Sequence, residues 1–387
     1  MYLERVRLTD IRGFHGARVV DLELTAPGWT VLAGRNGSGK STLLKAMALA
    51  VVGDGARTHD RTLSWISVGS ATAEIEGFIS NGLRTKFYFE REENVDFSSP
   101  SGRSHDRNGL FCIGYGPFRR LNGGRSSEVG EVESLFSEEA ALVEGVQWLV
   151  YQHLRALEGR KGARSLRDAT LRLLDDGLLP DDFRVKDVDS DGLWVERDGG
   201  RYALEEMSDG YRAVTALVLD IIRRLDEAGM GAEDPGIVLI DEVDAHLHVS
   251  WQKRIGPWLK EHFPRIQFVV STHSPYVCQA ADPGGLIRLP APDEPAPPRV
   301  VSDELYQRVV YGTGDDAVLS DLFGLDSPYS PLAVELRERL AELEMRVAGG
   351  LADVDEVRQW EKLRNRLSTS ASSRVDDVAR ELGLGER

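Results

Sequence analysis

Short runs of consecutive apolar residues predict strands that are buried on both faces, as in a parallel sheet covered by helices. These runs occupy residues 29–33, 237–240 and 268–271. Other segments alternate apolar and polar positions, which predicts half-buried strands, and a hairpin is expected around Asn81 and Gly82. The alternating segments occupy residues 6–8, 20–24, 75–79 and 83–89. The chain therefore predicts an α/β fold with a mixed central sheet and an antiparallel β layer.

Apolar residues at helical spacing predict several amphipathic helices. They occupy residues 41–51, 142–157, 166–174, a segment that opens at Ser208, and residues 332–347, 354–367 and 375–384. Residues 91–109 and 122–138 are polar and rich in glycine and serine, so they predict loops. The proline-rich segment, residues 290–298, suits neither a helix nor a central strand and predicts a linker at about 290–300.

Residues 34–41 satisfy the pattern G-x-x-x-x-G-K-[ST] between a predicted strand and a predicted helix. Such a loop turns backbone N–H groups toward phosphate oxygens at a helix start. Lys40 is expected to reach the β- and γ-phosphates of ATP, and Ser41 to bind Mg²⁺. A plain glycine-rich turn is the alternative, but it leaves the Lys-Ser pair unexplained. The other candidate nucleotide-binding residues here are Asn36, Gly37, Ser38, Gly39 and Thr42.

Two carboxylates, Asp241 and Glu242, end the apolar run at 237–240, and the carboxyl ends of parallel strands open on a ligand crevice. Asp241 fits a magnesium ligand, and Glu242 fits the base that activates the attacking water. A charged cap on the strand end is the alternative. His273 follows the next run and is a candidate γ-phosphate sensor, although a lone histidine is more often a surface or core residue.

A helix start is predicted at Ser208, a good N-cap that Asp209 and Gly210 follow. Exposed N–H groups and the helix dipole would make an anion site there. Since the chain's own phosphate loop already binds the triphosphate, we expect this helix start to contact ATP bound to a second copy, so that ATP joins a dimer. An ordinary capped helix is the alternative.

Together, these motifs resemble the ABC-type ATPase heads of the RecF, SMC and OLD class, with residues 208–210 as the signature. Further segments are similar to a narrower group of compact bacterial ATPases, often linked to nucleases in phage defence, such as the ATPase subunit of Septu-like systems. These segments are residues 241–248, 251–252, 263–268 and 271–275. The resemblance implies an ABC or RecF-like P-loop NTPase over residues 1–289, with a helical signature lobe at about 118–182. It also implies a separate nuclease subunit, expected to be of HNH type.

Two positions depart from the family pattern. Val249 stands where the narrower group usually has proline, and no glutamine occupies a convincing Q-loop position. Residues 111–116 are the candidate for that element.

Composition limits the partners. The 387 residues carry a formal net charge of −16, which argues against general adhesion to DNA, and no apolar run is long enough for a membrane span. The basic clusters at 119–125 and 160–167 are local DNA-binding candidates or plain solvated faces. Cys112 and Cys278 have apolar neighbours and suit packing residues in a reducing compartment. The chain opens without a charged and apolar leader, so a cytoplasmic location is expected.

We expect no nuclease activity from this chain itself. In the OLD-type ATPases that this chain resembles, a Toprim nuclease occupies the C-terminal side of the chain. Such a nuclease would need clustered acidic metal ligands after the last ATPase strand, and Asp315 and Asp316 alone do not supply them. The sequence therefore favours a dimeric or higher-order ATPase that regulates a separate nuclease in anti-phage defence. A C-terminal helical extension, residues 301–387, would dock a partner or simply pack against the ATPase. The alternative function is that of a RecF-like DNA-binding ATPase in repair and recombination.

Overall fold

The computed structural model describes residues 1–53, 65–90, 110–117, 132–136, 145–325 and 327–367. The chain forms two compact units, Met1–Gly324 and Leu325–Arg387. The loop expected at 91–109, most of the loop expected at 122–138 and the helix expected at 375–384 lie outside the described residues.

The central sheet of the first unit has six strands in the order β13-β12-β3-β11-β10-β6. These strands are β3 (Gly28–Ala33), β6 (Cys112–Tyr115), β10 (Gly236–Ile240), β11 (Ile266–Thr272), β12 (Leu286–Arg288) and β13 (Arg299–Val300). All neighbours are parallel except β13, which is antiparallel to β12. This confirms the predicted mixed sheet, and it brings the carboxyl ends of β3, β6, β10 and β11 to one edge.

One face of this sheet is covered by helix α1 and by a four-stranded antiparallel sheet of order β2-β1-β4-β5. These elements are α1 (Lys40–Val52), β1 (Leu3–Thr9), β2 (Val20–Glu23), β4 (Thr72–Ile79) and β5 (Arg84–Glu90). Leu43 and Met47 of α1 share a core with Leu239 and Val269 of the central sheet. The predicted antiparallel layer and the hairpin around Asn81 and Gly82 are confirmed.

The opposite face is covered mainly by helices. They include α3 (Gly145–Leu157), α4 (Ala163–Asp175), α5 (Asp209–Glu227) and α7 (Ile255–His262). Because side chains alternate along a strand, β10 serves both cores: Val238 and Ile240 pack with Leu217 of α5, while Leu239 packs on the α1 side. A third, antiparallel sheet adjoins these helices, with strands β7 (Arg184–Asp189), β8 (Gly192–Arg197) and β9 (Gly200–Ala203).

Short helices complete the first unit. They are α2 (Glu133–Phe136), α6 (Val249–Gln252), α8 (Pro275–Cys278), α9 (Asp303–Tyr311) and α10 (Gly314–Val318). Helix α2 lies within residues predicted to be a loop, because buried Leu135 anchors it beside β6. The two cysteines, Cys112 and Cys278, are free and buried, as expected for packing residues.

The proline-rich segment does not separate two units, as the linker prediction required. The guanidinium of Arg18 donates to the carbonyls of Pro290, Ala291 and Glu294, and the Glu294 carboxylate forms an ion pair with an arginine of β12. Proline removes N–H donors but leaves carbonyl acceptors, and a buried guanidinium satisfies several of these at once. The boundary between the units therefore falls after Gly324 rather than at residues 290–300.

The second unit contains a pair of packed helices, α11 (Pro331–Ala348) and α12 (Val354–Leu367). Leu343 and Leu363 are its buried side chains in the described range, and Arg346 pairs with Glu356 at 2.9 Å. The two helices predicted at 332–347 and 354–367 are thus confirmed. Across the described ranges, no helix combines the length and apolar character that crossing a membrane requires.

Candidate functional site

The phosphate-loop pattern lies between β3 and α1, as predicted. Gly39 precedes the first helical residue with φ +103°, a left-handed conformation that favours glycine. A Cβ at this position would lie 2.5 Å from the Phe14 ring, so a larger residue would not fit. The sequence thus forms a loop whose backbone passes close to its neighbours before entering the helix.

The side chain of Lys40 is buried in this loop. Its ammonium donates to the carbonyls of Gly34 at 2.8 Å and Arg35 at 3.1 Å. Burial lowers the Lys40 pKa, while the charges of Asp241 and Glu242 act in the opposite direction. The strand-end carboxylates therefore share one electrostatic environment with the loop lysine.

The carboxylate of Asp241 is buried at the carboxyl end of β10 and is held from two sides. Its backbone N–H donates to the Tyr115 carbonyl of β6 at 2.8 Å, and its Oδ1 accepts from the Ser271 hydroxyl at 2.5 Å. These two contacts fix both the backbone and the carboxylate of the expected magnesium ligand.

The neighbouring residue, Glu242, leaves the strand in a left-handed conformation with φ +46°. Its N–H donates to the same Ser271 hydroxyl at 2.8 Å, and its side chain is half-buried where that of Asp241 is buried. The turn thus places two adjacent carboxylates in different surroundings, which suits the two roles predicted for them.

At the end of β11, His273 is exposed and its backbone N–H contacts Asp244 Oδ1 at 3.4 Å. The same oxygen accepts from the Thr272 hydroxyl at 2.5 Å. Partial burial and the positive charge of Lys40 lower the His273 pKa, whereas nearby carboxylates raise it. Lys40, Asp241, Glu242 and His273 are therefore brought together at one sheet edge.

The remaining phosphate-loop candidates line the start of α1. Ser41 and Thr42 are half-buried in its first turn, whereas Asn36 and Gly37 are exposed. Ser38 is buried, and its hydroxyl has no hydrogen-bond partner among the described residues. A buried, unsatisfied hydroxyl beside the loop backbone is compatible with a polar ligand at this position.

The predicted signature lies at the start of helix α5. Ser208 occupies the N-cap position of α5 in an extended conformation, but its hydroxyl makes no capping hydrogen bond. Asp209 is exposed, and a Cβ on Gly210 would lie 2.9 Å from the His246 carbonyl. Helix α5 packs in the core on the face of the sheet opposite α1. The exposed hydroxyl is therefore available to a ligand outside its own helix.

Sequence reasoning missed three residues that shape the site: Ser271, Asp244 and Arg18. A serine at the end of an otherwise apolar strand was the available signal for Ser271. Arg18 had no local signal, because its partners are the Ser38 carbonyl at 3.2 Å and the distant proline-rich segment.

A cavity of about 450 Å³ adjoins the phosphate loop. Arg18, Phe14 and the proline-rich segment form its walls together with the loop glycines and Thr42. The cavity has the size of a small-molecule site, and neither Asp241 nor Glu242 is among its lining residues.

The donor set fits a hard metal ion such as Mg²⁺. Ser41 and Asp241 offer oxygen ligands, and the part of the chain that the structure describes has no group of three or more His, Cys, Asp and Glu residues able to hold a metal. Mg²⁺ typically takes one or two protein carboxylates and completes its shell with phosphate oxygens and water. The site therefore suits a metal that arrives with a nucleotide.

Two family profiles match this chain. One, described as an AAA domain, matches residues 5–132, and another, described as "AAA domain, putative AbiEii toxin, Type IV TA system", matches residues 150–279. The first spans the phosphate loop, and the second spans the signature, both carboxylates and His273. Most of the described first unit thus matches AAA-domain profiles, and the chain is similar in sequence to Septu and retron ATPases.

Two curated relatives illustrate it. The Septu protein PtuA of Bacillus mycoides is 28% identical over 290 residues, which cover 71% of this chain and 38% of the relative. The Retron Ec83 probable ATPase of Escherichia coli is 44% identical over 94 residues, which cover 23% of this chain and 17% of the relative. The matches thus span well under half of each relative's length.

Solved structures with a similar overall arrangement include the SMC head domain from Thermotoga maritima, at 20% identity and a TM-score of 0.44, covering 74% of this chain and 94% of that one. A structure of the recombination mediator protein RecF gives 12% identity and a TM-score of 0.41, covering 78% of this chain and 98% of that one.

Proposed function

We propose that this protein is an ATPase that dimerises through bound ATP and regulates a separate nuclease in anti-phage defence. The observation that carries the proposal is the grouping of Lys40, Asp241, Glu242 and His273 at one sheet edge, while exposed Ser208 lies at the start of a different element, helix α5. Residues suited to binding phosphate and metal, together with a separate exposed helix start, are the arrangement expected if two copies share each nucleotide.

Each residue of the edge has a role in this proposal. Lys40 and the loop N–H groups bind the triphosphate, and Ser41 and Asp241 hold Mg²⁺. When bound, Mg²⁺ would neutralise part of the negative charge of the phosphates. Ser271 keeps the Asp241 carboxylate in one orientation, because its hydroxyl donates to that carboxylate.

Glu242 is the proposed base for the attacking water. Its half-buried carboxylate is next in sequence to the metal ligand, and the left-handed backbone at Glu242 separates the two side chains. His273, with a lowered pKa, is neutral at pH 7 and can donate one hydrogen bond to a terminal phosphate oxygen.

The second copy would contribute the start of its helix α5 to the nucleotide site. Ser208 and Asp209 are exposed, and the hydroxyl of Ser208 makes no hydrogen bond to its own helix. A helix of 19 residues has a positive dipole end at this point, which favours an anion. ATP held by one copy would thus be contacted by Ser208, Asp209 and Gly210 of the other.

The nuclease partner and the defence role rest on the relationship to the Septu and retron proteins. We propose that the nuclease activity resides in a separate subunit of HNH type and that the pair acts in the cytoplasm. The second unit, residues 325–387, is the proposed docking site because its helices form a compact body of their own.

Direct DNA binding is the competing function. The net charge of −16 opposes it, and the candidate basic cluster at 119–125 lies outside the described residues. In the other cluster, Arg160 and Lys161 are exposed between α3 and α4, and Arg164 is exposed in the first turn of α4. A local contact with DNA through these three residues would be weak in salt.

The test is to purify the chain alone and together with any nuclease encoded beside it, with the chain as wild type, Lys40→Ala and Glu242→Gln. We expect the nuclease to co-purify and its activity to respond to ATP with the wild-type subunit but not with Lys40→Ala. Glu242→Gln should bind ATP without hydrolysing it, so the change in nuclease activity that ATP causes should persist. ATP-dependent, salt-sensitive DNA binding by the chain alone, without a nuclease partner, would support the competing function instead.

A further inference from the structure

Tyr115 touches the nucleotide site through its backbone. It is the last residue of β6, and its position in the parallel ladder is opposite Ile240 of β10. Its carbonyl accepts the N–H of Asp241 at 2.8 Å. The residue that fixes the backbone of the proposed metal ligand therefore belongs to the neighbouring strand.

The side chain of Tyr115 reaches a different element. Its hydroxyl donates to Asp220 Oδ2 on α5 at 2.9 Å, and both residues are buried, each 2% exposed. Asp220 is further held by Arg223, whose guanidinium donates to Asp220 Oδ1 at 2.6 Å and 3.1 Å. One tyrosine thus connects Asp241 with the helix that starts at Ser208.

Close packing around β6 and around α5 leaves little room for either element to move independently of the other. A Cβ on Gly116 would lie 2.1 Å from the Ser134 carbonyl, and the Ser134 hydroxyl donates to the Gly114 carbonyl at 2.6 Å. On the other side, a Cβ on Gly145, the first residue of α3, would lie 2.6 Å from Leu219 Cβ. Close-packed contacts of this kind transmit a displacement rather than absorb it.

The hydrogen bond also has a defined direction. Burial and the Asp220 carboxylate raise the pKa of Tyr115 well above its ordinary value, so the phenol stays protonated and donates. A donated bond to a buried carboxylate is strong and sensitive to geometry. A shift of α5 by a fraction of an ångström would therefore be felt at β6.

We propose that Tyr115 is a positioning residue that couples the placement of Asp241 to helix α5, so that ATP and metal at one copy's site set the helix start offered to the other copy. The proposal rests on the proposed function, since it assumes that Asp241 serves the nucleotide site and that Ser208 contacts a second copy. The coupling would run through the hydroxyl of Tyr115 on β6 and the carboxylate of Asp220 on α5. Tyr115 lies in the candidate Q-loop segment, residues 111–116, which contains no glutamine.

Tyr306 provides a matched control. Its hydroxyl is also buried and donates to a backbone carbonyl, that of Ala281, at 2.9 Å, and Ala281 is not a residue of the proposed site. Tyr115→Phe and Tyr306→Phe each remove one buried hydroxyl and keep the ring. Both variants should fold and melt within a few degrees of each other, because each loses one hydrogen bond.

The experiment compares hydrogen–deuterium exchange in residues 209–220 with and without ATP and Mg²⁺, in the Glu242→Gln background. We expect ATP to slow exchange in this segment, and Tyr115→Phe to reduce that protection by about fivefold while Tyr306→Phe preserves it. Binding of a fluorescent ATP analogue in EDTA should be the same in both variants, because Lys40 and its loop are untouched.

Equal protection in the Tyr115→Phe and Tyr306→Phe proteins, or an equal loss in both, would overturn the coupling and leave the proposed function standing. If ATP changes exchange nowhere in the Glu242→Gln protein that retains both tyrosines, the proposed function itself fails, and the coupling with it. The effect of ATP on exchange in the Glu242→Gln protein with both tyrosines therefore distinguishes the two failures.

Discussion

The hydroxyl of Ser271 donates to the carboxylate of Asp241 at 2.5 Å across the two central strands β11 and β10. The same hydroxyl oxygen accepts the backbone N–H of Glu242 at 2.8 Å. One small side chain therefore orients the proposed metal ligand and anchors the turn that carries the proposed base.

Replacing Ser271 by alanine should impair catalysis without abolishing nucleotide binding, because the phosphate loop is unchanged. Loss of a residue that orients a metal ligand typically costs about 10- to 100-fold in metal affinity or activity. We expect Ser271→Ala to raise the Mg²⁺ concentration needed for half-maximal ATPase activity by a factor in that range, measured by phosphate release.

Ser320→Ala is the control for this substitution. The Ser320 hydroxyl is also buried; it donates one hydrogen bond to the Ala317 carbonyl and accepts one from the Leu322 N–H, and neither partner is a residue of the proposed site. A shift in Mg²⁺ dependence that is equal in the two variants would show that Ser271 acts on stability alone.

Arg18 should affect ATP affinity more than turnover. Its buried guanidinium joins the Ser38 carbonyl of the phosphate loop to the carbonyls of Pro290 and Glu294 and so fixes one wall of the adjoining cavity. Arg18→Ala should raise the KM for ATP by roughly tenfold, since hydrogen bonds from a charged donor are lost, with a smaller change in kcat.

The control for Arg18 is Arg5→Ala. Arg5 also forms a bidentate contact, to Asp21, but on the exposed antiparallel sheet, where an ion pair contributes little. A KM that stays at the wild-type value in Arg18→Ala would contradict a role for the proline-rich segment at the nucleotide cavity.

His273 should make stability depend on pH below neutrality. Burial and Lys40 lower its pKa in the folded state below the ordinary value of 6.5, so the unfolded chain binds this proton first on acidification. Its contribution is complete above pH 6.5 and declines as the pH falls through 6.5 toward the lowered value. The effect is small, because the ring is exposed.

Thermal melting between pH 7.5 and 5.5 tests this sign. The wild-type Tm should fall more steeply over that interval than the Tm of His273→Asn, which carries no titrating group at the position. A steeper fall in His273→Asn would mean that the folded state stabilises the protonated ring, and hence that the ring is paired with the carboxylates rather than opposed by Lys40.

The residues of the sheet edge could be predicted from sequence because each follows a short apolar strand or lies in a local pattern. Lys40, Asp241 and His273 needed only the assumption that the strands are parallel. The dual role of Ser271 could not be predicted, because it depends on β11 lying beside β10. Fold class, layers and most helices followed from periodicity in the same way.

The error at the proline-rich segment has a different physical origin. Proline content correctly excludes helix and central strand but says nothing about whether carbonyls find a donor elsewhere. That donor is Arg18, which lies 272 positions from Pro290 in sequence. No local sequence pattern signals a contact between residues this far apart in the chain. The predicted boundary between the units therefore lies too early in the chain.

In the proposed function, each nucleotide is shared by two copies of the chain, one supplying Lys40 and the other Ser208. Lys40→Ala lacks the first element and Ser208→Arg obstructs the second, so each protein alone should be inactive as an ATPase. A mixed dimer contains one composite site free of both lesions.

Mixing the Lys40→Ala and Ser208→Arg proteins in equal amounts and measuring phosphate release is therefore the most direct test. Random pairing leaves one intact site in half of the dimers, so the mixture should recover about a quarter of the wild-type rate. A mixture no more active than the two proteins measured separately, or a fully active Ser208→Arg protein at high dilution, would contradict the shared site.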